Sequence, residues 1–161
     1  MLAVLNSERL KAGTQLRELG WVLPKPPTPL GRYVEVNQVG SLLFLSGTLP
    51  IADGKLLFTG RIGEKLSVGQ GREAAGLAAL NALALVQAHL GDLNRVKRIV
   101  KLLVLMVTTE DFVEHPAVGD GASNAFAPLF GPETGHVRVV YGVQSMPLGA
   151  PVMVETIFEV E

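Results

Sequence analysis

The sequence predicts an α+β fold with elements in the order ββ(β)αβαββ, a sheet layer carrying two long helices. Three observations support this. An Ala-rich run over residues 67–90 opens on a capping-box spacing and stops at Gly91. The apolar run Leu102 to Val107 is β-rich and too short to be a membrane helix. Two strand-like segments, 136–144 and 152–161, flank the turn residues Met146-Pro147-Leu148-Gly149.

Ser7 to Leu19 reads as a short amphipathic helix, with Asn6 or Ser7 as N-cap and Gly20 ending it. Trp21 is expected to pack back onto the domain. Pro24-Lys25-Pro26-Pro27-Thr28-Pro29 is an extended polyproline strap. Residues 1–29 thus precede a single domain over 30–161. Tyr33 to Val36 and Ser41 to Ser46 suit two strands joined by Asn37-Gln38-Val39-Gly40, and Asp53-Gly54 is a second turn. Ser67 and Gln70 open the long helix, whose Ala75, Ala78, Ala79 and Ala82 permit close packing on a sheet. Arg95 to Thr108 holds a central strand. Pro116 suits the first position of a second helix ending near Gly131, with Pro128 distorting its last turn.

The last two strands carry apolar residues on both faces, as in Val137-Arg138-Val139-Val140-Tyr141-Gly142-Val143. Two helices cover one face, so a partner subunit is expected to bury the other. Composition agrees: of 161 residues, 48% are hydrophobic and 18% charged, a surface short of charge for a monomer. Lys plus Arg is 14 against 15 for Asp plus Glu, so the basic excess that nucleic-acid binding needs is missing. No cysteine is present, which excludes disulfides and thiolate chemistry. The N-terminus lacks the pattern of a signal peptide, and polar residues interrupt the run from Ala74 to Leu90, so neither membrane nor export is expected and the cytoplasm is the default.

Arg138 stands alone among apolar residues. A guanidinium cannot discharge, so it needs a carboxylate or phosphate partner of fork geometry, either internal, such as Glu155 on an adjacent strand, or a bound anion. Spacing alone favours the internal pair. Gly69-Gln70-Gly71-Arg72-Glu73-Ala74 reads G-x-G-x-x-A with Asp92 downstream, but Arg61 to Leu66 is not the buried strand a dinucleotide fingerprint requires. Arg95, Lys97, Arg98 and Lys101 form a basic cluster without interleaved aromatics, the mark of a solvated edge. His89, His115 and His136 lack zinc-ligand spacing.

Several segments together resemble the YjgF/RidA family: Leu30-Gly31-Arg32-Tyr33, Leu43 to Pro50, Asn81-Ala82-Leu83, Gly91-Asp92-Leu93, Val137-Arg138 through Met146-Pro147-Leu148-Gly149-Ala150, and Val154-Glu155-Thr156-Ile157. The resemblance implies a chorismate-mutase-like fold, a mixed sheet with two long helices on one face, assembled as a homotrimeric barrel with a cleft at each interface. It implies hydrolysis of enamines and imines, such as 2-aminoacrylate, to 2-oxo acids and ammonia, with no cofactor and no metal. The expected partners are a small carboxylate-bearing imine or 2-oxo acid and further copies of the chain. A binding module for small carboxylates is the alternative, and an endoribonuclease or translation inhibitor a more distant one.

By the same resemblance Arg138 is the clamp for the substrate carboxylate, which reverses the reading from spacing. Tyr33, Ser46 and Gly47 would line the cleft, with Val140 beyond Arg138 on its strand. Asp120 and Gly121 fall where short members carry a pocket Asn. Met153 stands where many members have a glutamate thought to position the water, and Glu155, two residues on, is the substitute on the same face.

Overall fold

The computed structural model describes residues 10–131 and 135–161. A short helix α1 (Ala12–Glu18) precedes the irregular strap and a hairpin, β1 (Val36–Val39) and β2 (Leu42–Leu45). A small hairpin, β3 (Ile51–Ala52) and β4 (Lys55–Leu56), follows. The long helix α2 (Val68–Leu90) leads to strand β5 (Val96–Val107), then helix α3 (His115–Phe130), β6 (Val137–Val143) and β7 (Val152–Val160).

The five-stranded sheet runs β1-β2-β7-β5-β6, mixed because β6 lies parallel to β5 while the other pairs are antiparallel. The expected α+β class, mixed sheet and paired long helices are all present. The last strand thus inserts between β2 and β5, leaving β6 at one edge. Side chains alternate across a strand. Leu102, Val104, Val154, Phe158 and Leu43 therefore face α2 and α3 and are buried. The opposite face carries Phe44, Val137, Val139 and Tyr141, all exposed.

Local signals act where they were expected in α2. Ser67 and Gln70 form the full capping box, and Gly91 in the left-handed region at φ 78° closes the helix. Small residues bring α2 and α3 close together: a Cβ on Gly121 would overlap the backbone carbonyl of Arg72.

Three expectations change. Helix α1 starts at Ala12, not Ser7, because Lys11 is extended, and the first turn takes its cap from a distant side chain, Asn94 Oδ1 accepting from Thr14 N at 2.9 Å. The proposed caps Asn6 and Ser7 lie outside the described residues. The first hairpin turns at Gly40-Ser41, with Asn37 to Val39 inside β1, since Gly40 at φ 58° supplies the tight two-residue turn. Pro116 is the second residue of α3, whose first is His115. The basic cluster is the solvated edge the sequence suggests: all four residues are exposed, and the start of β5 pairs with β7 on one side while β6 joins the other side only from Lys101; Arg98 pairs with Glu159 at 2.6 Å and Arg95 donates to Leu90 O at 3.1 Å.

Candidate functional site

Sheet register decides Arg138's neighbours. Arg138 pairs with Leu102 and Glu155 with Leu103, on either side of β5. Leu102 and Leu103 point to opposite faces, so Arg138 and Glu155 do too. The internal pair with Glu155 is therefore not made. Arg138 sits on the helix side, against the first turns of α3, and its Nη1 donates to Asp120 Oδ1 at 2.7 Å and to Ser123 Oγ at 3.0 Å. Gly119 leaves room for Val140: a Cβ there would come within 2.7 Å of Val140 Cγ1, while Arg138 Cζ would stay at an ordinary contact distance of 3.5 Å.

The network continues outward. Ser123 Oγ lies 3.0 Å from His136 Nε2. Burial first, and then the charge of Arg138, lowers the His136 pKa below its ordinary 6.5. A neutral imidazole can accept, so Ser123 receives an N–H from Arg138 and gives its own proton to His136. Spacing in the sequence does not single out Ser123 and His136 for this role. The histidines read there only against zinc-ligand patterns, and a hydroxyl thirteen residues away gives no linear pattern.

Arg138 has five N–H donors, of which the two on Nη1 are engaged. Among the described residues Nε and Nη2 have no partner. That edge has the planar fork that matches a carboxylate. Arg138 is mostly buried while Asp120 is about half exposed, so solvent and ligands reach the pair from the Asp120 side.

A second locus lies at the junction of β2 and β7. Tyr33, Glu35, Gly47, Thr48, Pro147 and Met153 line a cavity of about 330 Å³, with Pro27 and Thr28 of the strap forming part of its wall. Thr48 is held there by backbone bonds to Val154 in both directions and by its hydroxyl on Ala78 O at 2.8 Å. Buried Asn81 on α2 donates to Leu49 O and Ile51 O, at 2.9 and 2.8 Å, and fixes the same corner. Gly47 is tight against Met153, whose Sδ and Cγ occupy the space a Cβ would need.

The predicted residues thus fall into two groups within one subunit. Tyr33, Gly47 and Met153 share the cavity, with Ser46 next in chain, while Arg138, Asp120 and Val140 gather under α3. Glu155 is exposed on the open face, the same face as Met153. Gly121 faces α2, its missing side chain filled by the Arg72 backbone. Glu35 is the residue that sequence reasoning passes over. It lines the cavity two positions after Tyr33, burial raises its carboxyl pKa, and no described residue hydrogen-bonds that carboxyl. The G-x-G-x-x-A segment forms the first turns of α2, with Gly71 packed on Ile62 and Val118. Among the described residues no three His, Asp or Glu side chains converge as metal ligands would.

Known proteins share this architecture. Residues 13–160 match the family described as "YjgF/chorismate mutase-like, putative endoribonuclease". Protein TCP17 of Trypanosoma cruzi is 40% identical over 159 residues, 98% of each chain. A crystal structure from Shewanella oneidensis, described under the same endoribonuclease heading, is 34% identical with a TM-score of 0.88, covering 94% of this chain and 100% of the other. Escherichia coli TdcF, solved with bound serine, shares the fold at 20% identity and a TM-score of 0.60, covering 95% of this chain and all of its own.

Proposed function

The chain belongs to the YjgF/RidA family, and from that membership together with the Arg138 network we propose that it hydrolyses small enamine and imine acids to 2-oxo acids and ammonia. The observation that carries this reading is the Nε/Nη2 edge of Arg138, without a partner among the described residues, on a guanidinium whose other side is fixed by Asp120 and Ser123. A fork held from behind orients a carboxylate, and an oriented imine carbon is already electrophilic. Little more than a placed water and one proton-transfer group is then needed. Glu35 in the cavity suits proton transfer better than Glu155, since burial moves its pKa toward neutrality and Tyr33 and Gly47 line the same space. Met153 cannot do it.

The reading includes self-association. The open face of the sheet exposes Phe44, Val137, Val139 and Tyr141, an apolar surface that further copies of the chain would cover. A Tyr141→Glu variant is expected to elute as a smaller species than wild type, and an unchanged elution volume counts against assembly through this face.

The decisive assay supplies 2-aminoacrylate from a serine dehydratase and follows ammonia or 2-oxo acid release. Acceleration over buffer that disappears in Arg138→Ala is the expected result, and no acceleration by wild type refutes the hydrolase. A binding module is the second reading, favoured by Met153 in the cavity. It predicts a carboxylate that raises Tm without turnover. RNA cleavage fits less well, because Arg98 is paired with Glu159 and the chain has no basic excess.

A further inference from the structure

Asp120, Arg138, Ser123 and His136 form one chain of polar contacts. Asp120 Oδ1 and Ser123 Oγ accept from Arg138 Nη1 at 2.7 and 3.0 Å, and His136 Nε2 lies 3.0 Å beyond Ser123 Oγ. The Nε/Nη2 edge, without a partner among the described residues, is on the other side of the guanidinium. Arg138 and Asp120 already cancel, so a carboxylate at that edge leaves the group with one net negative charge. His136 is the member of the chain that can supply a positive charge in return.

Ser123 lets it do so without releasing the clamp. Neutral His136 accepts the serine proton at Nε2 and carries its own on Nδ1. Once protonated, Nε2 becomes a donor, the serine proton turns aside, and the two lone pairs of Oγ accept from His136 and Arg138 together. His136 lines a cavity of about 220 Å³ in which no other described residue is ionisable. On α3 the charged member is Asp120, and on β5 Lys101 pairs with Val137, on the open face away from His136. Burial and the Arg138 charge oppose protonation of the histidine, and an anion on Arg138 offsets the second of these.

We propose that the clamp is proton-linked: a carboxylate on the Nε/Nη2 edge of Arg138 and a proton on His136 each favour the binding of the other. This deepens the hydrolase reading and rests on it for the place of the ligand. Linkage makes the effect reciprocal, so affinity rises as pH falls through the titration of His136, and ligand binding draws a proton from solvent onto Nε2. A 2-oxo acid product is thereby held in acid and released more readily at neutral pH. The guanidinium lies between the two charges, which keeps the coupling to about fivefold.

The test needs no turnover. Pyruvate, ionised throughout the range, is titrated calorimetrically into the full chain between pH 8 and 5, and the histidine ring protons are followed by NMR with and without it. Wild type should bind pyruvate about fivefold more tightly at pH 5 than at pH 8, and pyruvate should move the His136 titration to higher pH while His89 and His115 stay where they were. In His136→Gln, whose amide still reaches Ser123 but takes no proton, the affinity should be flat with pH. Arg138→Ala should abolish the pyruvate effect on His136, and the dispersion of the NMR spectra reports folding of each variant.

A His136 titration that pyruvate leaves unchanged or lowers overturns the proposal. So does affinity that is constant or falls toward acid, a pH dependence that survives in His136→Gln, a pyruvate effect that survives in Arg138→Ala, or no binding of pyruvate by wild type at any pH tested. Failure of the underlying reading looks different: the coupling is present while 2-aminoacrylate is not hydrolysed faster than in buffer.

Discussion

Arg138 and Glu155 stand on opposite faces of the sheet, one opposite Leu102 and the other opposite Leu103 of the intervening strand. Their energetic independence follows. In a double-mutant cycle Arg138→Ala and Glu155→Ala should add within about 0.5 kcal/mol, as uncoupled sites do. Arg138→Ala and Asp120→Ala should instead couple by about 1 kcal/mol, the value of a partly exposed, charge-assisted contact. Coupling of Arg138 with Glu155 instead would mean that the register is wrong.

His136 gives stability a dependence on acid. Its folded-state pKa lies below the ordinary 6.5 that the unfolded chain retains, because burial and the Arg138 charge oppose protonation. As pH falls through 6.5 the unfolded chain takes up a proton that the folded one does not, and stability drops until the folded histidine protonates too. Ser123 and Arg138 are the groups facing it. Urea unfolding from pH 8 to 5 should show a decline that His136→Gln reduces, and superimposable profiles would remove His136 from the account.

Glu35 should shape the pH dependence of turnover. Burial raises the pKa of its carboxyl from the ordinary glutamate value. Glu35→Gln is expected to cut kcat at least about tenfold, within the range of a lost general acid or base, and to flatten the acid limb of the profile. Retention of that limb in the variant would return the role to Glu155.

Two glycines separate packing from access. Gly121→Ala drives a Cβ into the backbone of Arg72, which cannot move aside, and should cost about 3 kcal/mol or more in chemical denaturation. Gly47→Ala meets the flexible Met153 side chain, so it should leave more stability but reduce ligand binding by pushing Met153 further into the cavity. Adding Met153→Ala should restore binding. Equal destabilisation by the two glycine changes contradicts this distinction.

Asn81 ties α2 to the cavity corner through two donated bonds to Leu49 O and Ile51 O. Asn81→Ala removes that donor from the buried Leu49 carbonyl and the half-buried Ile51 carbonyl and should lower stability by about 1–3 kcal/mol, read from urea midpoints. A loss under about 0.5 kcal/mol would show that water replaces the amide there.

Much of this molecule was legible in the linear sequence, and for local reasons. Ser67, Gln70 and Gly91 set the ends of α2 because caps act over three or four residues. Asp53-Gly54 made its turn because both residues take positive φ, 51° and 74°. The two-sided apolar pattern of β6 correctly announced a sheet whose second face the helices leave open. Arg138 was identifiable as a residue in need of an anionic partner, since an unpaired guanidinium in an apolar strand is costly wherever that strand lies.

Which anion it meets was a matter of tertiary structure. Alternation fixes the faces of one strand relative to itself, but the insertion of β7 between β2 and β5, and the parallel placement of β6 at the edge, depend on contacts between residues far apart in the chain. That pairing put Glu155 across β5 on the other face and brought Asp120, Ser123 and His136 to Arg138. Asn94 capping α1 across 80 residues has the same origin. The sequence by itself determined the elements and the need for a charged partner; only the folded chain decided the partner, because non-local pairing leaves no period in the sequence to read.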